Sequence, residues 1–284
     1  PIIQERPFFH YFGIEGAARY ADYSTVGGVW SWKVGAEWAP VRDIRFRGVY
    51  AEATRAPNIS ELFSANSETF PAVVDPCDQA AGEGDGAPIA IPGSALPAAC
   101  LAVPAIAAAV QNGGFTYSTA QIQTINGFLG GNRDLTEETS QTITLGVVAT
   151  PSFIRNLSLT VDYYRIKVKN AVGIIGQQTS LDECYGDGGS ALPLFCDNIT
   201  RTADGRVRRI DAINLNVGSY LVEGIDIGAR YRADISSSTK LDLAVNWTHL
   251  LKQQQTSFAG GPVQKERGQL DCYECGRLGT GFKD

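Results

Sequence analysis

Val49-Tyr50-Ala51-Glu52-Ala53-Thr54-Arg55-Ala56-Pro57-Asn58-Ile59-Ser60-Glu61-Leu62-Phe63 changes character at its centre. Just upstream, Ile44, Phe46, Gly48 and Tyr50 alternate with Arg45 and Arg47. That period of two puts successive side chains on opposite faces of a strand. Pro57 has no N–H to give to a ladder, so strand pairing stops near it and a polar, turn-like segment follows. The chain is read outward from this unit: a strand apolar on one face, cationic on the other, ended by proline.

Six further segments repeat the alternation. Phe8, His10, Phe12, Ile14, Gly16 and Ala18 share one face, opposed by Glu15 and Arg19. Trp30, Trp32, Val34, Ala36 and Trp38 oppose Ser31, Lys33 and Glu37. Ile143, Leu145, Val147 and Ala149 oppose Thr142 and Thr144. Leu157, Leu159, Val161 and Tyr163 oppose Ser158, Thr160 and Asp162. Leu221, Ile225, Ile227, Ala229 and Tyr231 oppose Asp226, Arg230 and Arg232. Leu241, Leu243, Val245 and Trp247 oppose Asp242, Asn246 and Thr248. The fold class is therefore all-β, with about seven long strands.

A soluble β-sandwich also alternates, apolar inside and polar in water. Three features favour a barrel in lipid. The alternating runs reach roughly ten residues, where soluble strands average about five to six and tilted membrane strands need about 9–11. Aromatic residues end the apolar faces. Trp30 to Trp38 spans ~26 Å at ~3.3 Å per residue, or ~20 Å of height after a ~40° tilt, near the ~25 Å apolar band of outer-membrane barrels. Connections are short at Ala39–Asp43, 151–156 and 236–238, and long at Arg55–Glu137, 170–219 and after Leu250. Short periplasmic turns and long external loops are the outer-membrane pattern, with Ala21–Gly28 as a short external loop. A loop of about 80 residues argues against a compact soluble domain.

The chain has 284 residues, 24 basic against 30 acidic, and no long basic run, which argues against a nucleic-acid partner. No apolar run is long enough for a helical membrane span. No signal peptide is visible and there is no Met. Six cysteines fall in three local pairs, Cys77 with Cys100, Cys184 with Cys196, and Cys272 with Cys275. Even number and loop-like surroundings favour disulfides formed in an oxidising compartment, although six cysteines allow 15 pairings.

Four segments in order resemble TonB-dependent outer-membrane receptors. They are Arg55-Ala56-Pro57 with Glu61-Leu62-Phe63; Gly131-Asn132-Arg133-Asp134-Leu135-Thr136-Glu137-Glu138-Thr139-Ser140; Leu159-Thr160-Val161-Asp162-Tyr163-Tyr164-Arg165-Ile166-Lys167; and Glu223-Gly224-Ile225-Asp226. Arg133, Thr136 and Glu137 depart from the family's usual Pro, Lys and Pro. The resemblance implies part of a large antiparallel up-and-down transmembrane β-barrel, 22 strands in the full family. Residues 1–284 are then a partial barrel, with the plug domain and closing strands absent and the long external loop 55–137 within it. It further implies a Gram-negative outer-membrane location, contact with membrane lipid, energy from the TonB complex through the missing plug, and uptake of a scarce small solute such as a siderophore, vitamin or saccharide. A non-transporting surface-binding or adhesin-like barrel is the alternative.

No cofactor, metal site or catalytic constellation is expected. Cys272-Tyr-Glu-Cys275 lacks the further ligands zinc needs, and the acidic group Asp182, Glu183, Asp187 and Asp197 lacks calcium-loop spacing. No nucleophile elbow or phosphate-cradling glycine loop occurs. Two readings stay open for the charges. Arg55 contacts solute at the barrel mouth or braces the rim. Arg45, Arg47, Asp226 and Arg230, with Arg232, guide a solute through the lumen or hold the plug.

Overall fold

A computed structural model describes residues 1–79, 96–186, 189, 192–236, 238–258, 261 and 263–265. In chain order the elements are β1 (Ile3–Arg6), β2 (Phe9–Tyr23), β3 (Gly27–Val41), β4 (Ile44–Arg55), α1 (Ile59–Phe63), β5 (Ser67–Thr69), α2 (Ala98–Leu101), α3 (Pro104–Gln111), α4 (Thr119–Gln123), β6 (Gly127–Gly130), β7 (Glu138–Ala149), β8 (Leu157–Ile174), α5 (Gln177–Tyr185), α6 (Pro193–Cys196), β9 (Ile199–Arg201), β10 (Val207–Ile210), β11 (Ala212–Asp234), β12 (Lys240–Thr256) and β13 (Val263–Lys265). They form two compact units, one of residues 1–57, 136–172 and 216–284, the other of 58–135 and 173–215.

The first unit is an antiparallel sheet ordered β1-β2-β3-β4-β7-β8-β11-β12-β13. Its seven long strands are the seven read from alternation. Among the described residues it is an open sheet, not a closed barrel. Register follows the hydrophobic pattern, because a one-residue slip would turn every side chain to the wrong face. Phe12 lies opposite Trp38, Trp38 opposite Phe46 and Phe46 opposite Val147, while Ile227 lies opposite Trp247 and Ala229 opposite Val245.

This apolar face is bare. Val34, Leu145, Val161, Val245 and Trp247 are all exposed. The buried apolar residues of the chain lie mostly in the other unit. A face this large and dry-loving needs a non-aqueous solvent. Its aromatic residues collect in two groups. Tyr20 packs on Trp30 and Trp32 on Tyr50 at one end, and Phe9, Phe12, Trp38 and Phe46 pack together at the other. These are the two girdles that border an outer-membrane barrel's apolar band.

The second unit encloses a conventional core of Val73, Cys77, Cys100, Ile106, Phe115, Tyr117, Ile125, Leu181, Val207 and Ile210. Disulfides Cys77–Cys100 and Cys184–Cys196 close loops of 23 and 12 residues. Both are pairings expected from local spacing; Cys272 and Cys275 lie outside the described residues.

Several boundaries differ from the sequence reading. β1 adds a strand before the first expected one. The turn expected at Ala39–Asp43 tightens to Arg42-Asp43, with the β3–β4 register slipping between Trp38 and Val41 around Pro40. β8 and β11 run further than expected, to Ile174 and from Ala212, which shortens the expected 170–219 loop. Within the expected 55–137 loop, residues 118–130 give α4 and then β6. Within the expected 170–219 loop, Val207–Ile210 pairs with β9.

The segment after Arg55 is not a turn but a helix. Asn58 caps α1 by accepting the Glu61 N–H at 2.8 Å, and Glu61 accepts the Asn58 N–H at 2.8 Å. This reciprocal capping box satisfies two otherwise unpaired N–H groups. Leu62 is buried, and the backbones of Gly131 and Asn132 dock on the helix, donating to Ser64 and Glu61 carbonyls. A β-carbon on Gly131 would stand 2.7 Å from the Leu62 carbonyl carbon. The two resemblance segments thus meet in space, although about 70 residues of chain separate them.

Candidate functional site

The second face of the sheet carries the charges. Lys33, Arg45, Arg47, Arg230 and Arg232 lie among Glu15, Glu37, Asp162, Asp226 and Asp242. Alternation alone puts them there, since each is one residue from a bilayer-facing apolar neighbour. Each of these five cations has a carboxylate within reach.

Arg47 makes the best-formed pair. Its Nε donates to Asp162 Oδ1 at 3.0 Å and its Nη2 to Oδ2 at 2.7 Å. The bond passes over β7 between them. Gly146 lies opposite both Arg47 and Asp162, and a β-carbon there would stand 1.9 Å from Asp162 Oδ1. Glycine at 146 is what lets the guanidinium reach two strands away. Arg230 grips Asp242 with two bonds, at 3.0 and 2.5 Å, and Arg232 adds a third at 3.1 Å. Asp226 accepts from Thr248 at 2.7 Å, and Lys33 reaches Glu15 at 3.0 Å. Arg45 is held most loosely, 3.8 Å from Glu37.

Arg55 ends β4 beside Glu138 at the start of β7, their ion pair bridging the two strands. The other Glu138 oxygen accepts the Val172 N–H at 2.6 Å. Arg55 is thereby tied to three strands. Pro57 follows the strand, and Ala56 lies between them. Phe63 is exposed and carries the Arg133 guanidinium 5.3 Å over its ring. At the opposite ends of β4 and β7, Asp43 accepts the Ser152 N–H at 2.8 Å, and that bond holds its carboxyl below the usual range.

Sequence reasoning missed the most enclosed charged group among the described residues. Asp75, in the second unit, is 1% exposed, and the Arg201 side chain paired with it is 8% exposed. Arg201 donates to both Asp75 oxygens, at 2.6 and 3.0 Å, and to the Gly205 carbonyl at 2.8 Å. Tyr117 gives its hydroxyl proton to Asp75 at 2.6 Å and accepts the Val207 N–H at 2.7 Å, while Cys77 N–H donates to the other carboxylate oxygen at 3.0 Å. The guanidinium also lies 4.1 Å over the Tyr185 ring. Burial works against the Arg201 charge, but the Asp75 carboxylate outweighs it and holds the group protonated. Burial, and then the Asp75 charge, push the Tyr117 phenol strongly upward. The network ties the two disulfides together, touching Cys77 directly and Tyr185 beside Cys184. It is structural chemistry, with no accessible nucleophile.

No group of three or more His, Cys, Asp or Glu side chains that could hold a metal ion occurs among the described residues. Asp182 instead accepts from Gln178 at 2.8 Å, and Asp187 is not among the described residues.

A bilayer-facing apolar belt with two aromatic girdles and an ion-paired inner face defines a transmembrane β-barrel wall. The family model for the TonB dependent receptor-like β-barrel matches residues 7–270, and the chain belongs to that family. Its location is accordingly the outer membrane of a Gram-negative bacterium. Among solved structures, the fold matches the ferric enterobactin receptor PfeA of Pseudomonas aeruginosa. A Gly-to-Val mutant aligns with TM-score 0.51 and 15% identity, over 85% of this chain and 24% of that one. A Gln-to-Ala mutant in complex with enterobactin gives 0.51 and 16%, over 85% and 25%. The siderophore receptor PirA of Acinetobacter baumannii gives 0.47 and 16%, over 84% and 25%. The chain spans about a quarter of the length of these structures. A comparison with curated proteins finds no match.

Proposed function

We propose that this chain is wall and external-loop structure of a TonB-dependent receptor that imports a scarce solute across the outer membrane. The observation that supports this most directly is the sheet's two-sidedness, a bare apolar face against an ion-paired inner one. In this reading residues 58–135 and 173–215 form the external unit and supply solute recognition. Phe63, Arg133 and Ile59 present an exposed surface there. The solved receptors named above are siderophore receptors, which makes a ferric siderophore the first solute class to try.

The inner-face arginines act mainly to hold the lumen's shape. Arg47 and Arg230 are already bidentate to carboxylates, so an anionic solute would have to displace an internal partner. Arg45 has the weakest hold and is the residue on that face best placed to contact a passing anion or an acidic plug surface. Arg55 braces the rim. TonB-driven rearrangement of a plug supplies the energy.

The test is uptake by cells carrying the full-length receptor under iron limitation and, separately, under carbon limitation. A solute whose accumulation needs both this receptor and TonB supports the proposal. Equal accumulation with and without the receptor for every siderophore, vitamin and saccharide tried counts against it.

A further inference from the structure

The turn between β7 and β8 and the foot of β11 border a cavity of about 530 Å³. Arg155 of the turn, Ser158 of β8, and Arg230 and Arg232 from the inner face of β11 line it. Cross-strand register puts these groups together. A β-carbon on Gly228 would stand 2.6 Å from Thr160 Oγ1, so those two residues are neighbours across β8 and β11. Two residues nearer the turn on each antiparallel strand, Ser158 stands beside Arg230. The next step brings Asn156 beside Arg232, and the Asn156 carbonyl accepts the Arg232 N–H at 3.2 Å.

The three guanidinium groups are unequally engaged. Arg230 gives Nε and Nη2 to Asp242, whereas Arg232 gives Asp242 only its Nε. Among the described residues, neither Nη of Arg232 has a hydrogen-bond partner, and Arg155 has no ion-pair partner. Of the carboxylates nearby, Asp242 is held by the two β11 arginines, Asp43 accepts the Ser152 N–H, and Asp234 lies opposite Lys240. Arg155, Arg230, Arg232 and Lys240 thus outnumber the three carboxylates. A carboxylate has two oxygens, and a single arginine fork satisfies both. Here the free donors come from separate elements: the Arg232 fork on a strand, Arg155 in a turn, and the Ser158 hydroxyl. That set suits the three terminal oxygens of a phosphate group. Pro151, Ile154 and Leu157 also line the cavity and give it an apolar wall.

We propose that this cavity binds a soluble phosphomonoester, with Arg155 and Arg232 holding the phosphate and the organic group lying on Pro151, Ile154 and Leu157. Arg230 takes most of the hydrogen bonding of Asp242, which leaves the Arg232 fork to the ligand. The site lies at the short-turn end of the strands. It rests on the reading of those turns as periplasmic for the source of its ligand, which is then the periplasm. All its residues belong to the first compact unit, so it is not part of the unit to which solute recognition is assigned above.

The test uses the full-length receptor, purified in uncharged detergent and titrated calorimetrically with phenyl phosphate. A hydrogen bond to a charged group is worth about tenfold or more in affinity, so R155Q and R232Q should each weaken binding by at least that factor. K33Q removes a cation elsewhere on the same face and should leave the affinity unchanged. Phenyl phosphate should bind more tightly than inorganic phosphate, which lacks the apolar group, and than benzoate, which lacks the third oxygen. Wild-type heat-modifiability on gels shows that each variant is folded. Arg155 is exposed in a turn, so R155Q tests the site even where R232Q does not fold. The proposal is overturned by unchanged affinity in R155Q, or by benzoate or inorganic phosphate binding as tightly as phenyl phosphate. It is overturned equally if the wild type binds no phenyl phosphate at millimolar concentration, as when an acidic surface of the receptor's plug fills the cavity. Binding is read without solute transport, so failure here and failure of the uptake reading are separate results.

Discussion

Replacing Asp75 with Asn tests whether the second unit is held by its interior ion pair. The change keeps the shape and removes the charge. Arg201 would then be enclosed without a counter-ion, still facing Gly205 and the Tyr185 ring but no longer balanced. Removing one partner of a buried pair typically costs about 3–5 kcal/mol, because the remaining charge is left uncompensated. At about 1.4 kcal/mol per power of ten, the population of opened molecules should rise by roughly two to three and a half powers of ten. The reporter is hydrogen exchange at the Val207 amide, which donates to Tyr117, and at the Cys77 amide, which donates to Asp75 itself. Both should exchange faster by that factor in the full-length receptor, since local opening sets their protection. D162N in the exposed pair with Arg47 is the control. Such pairs are worth about 0.2–1 kcal/mol, so strand amides near it should change by less than about sixfold. Asp75→Leu with Arg201→Met should recover much of the loss, since replacing both charges removes the uncompensated one. A rise below tenfold for D75N at both amides would refute the argument that this pair is buried and coupled.

Three further outcomes follow from the same geometry. Tyr117 has a folded-state phenol held above its ordinary value, so its contribution is intact below about pH 10, where unfolded tyrosine titrates; above it, the second unit should lose stability at up to about 1.4 kcal/mol per pH unit, read by Val207 exchange at alkaline pH and blunted in Y117F. G146A should force Asp162 and Arg47 apart by placing a β-carbon where the carboxylate sits; a cost of about 1–3 kcal/mol is expected from the overpacking, seen as a lower heat-modifiability midpoint, while the same change at Gly173, with nothing within 4 Å, should pack without a clash. All four tryptophans of this chain, Trp30, Trp32, Trp38 and Trp247, occupy the bilayer-facing parity, so brominated lipid should quench each in single-tryptophan versions of the receptor; protection of Trp247 or Trp30 from bromine would contradict the assigned face.

The long strands were legible because a period of two is written in consecutive residues. Trp30-Ser31-Trp32-Lys33-Val34 states its two faces without reference to any distant residue. The inner-face charges were legible for the same reason, as the odd partners of an apolar row. Their pairing was less so. Nothing in the sequence near Arg47 points to Asp162, 115 residues on; that contact exists because β4, β7 and β8 are neighbours and Gly146 leaves the way clear. The helix after Pro57 was missed because Asn58-Ile59-Ser60-Glu61 is a short capping box, and its polar residues read equally well as a turn.

The second unit was the largest omission. Its residues alternate poorly and are rich in Ala, Pro and Gly, which reads as irregular loop. Asp75, Tyr117 and Arg201 lie in three separated segments, 42 and 126 residues from Asp75, and each alone is an ordinary polar residue. Sequence by itself determined the seven long strands of the sheet, its two faces and the solvent each face requires, because those are local consequences of side-chain period and polarity. Tertiary structure alone decided that two long insertions fold together as one disulfide-stapled body, and which carboxylate each arginine meets. Those outcomes depend on contacts between distant segments, where burial in a low-dielectric interior makes an aspartate and an arginine seek each other.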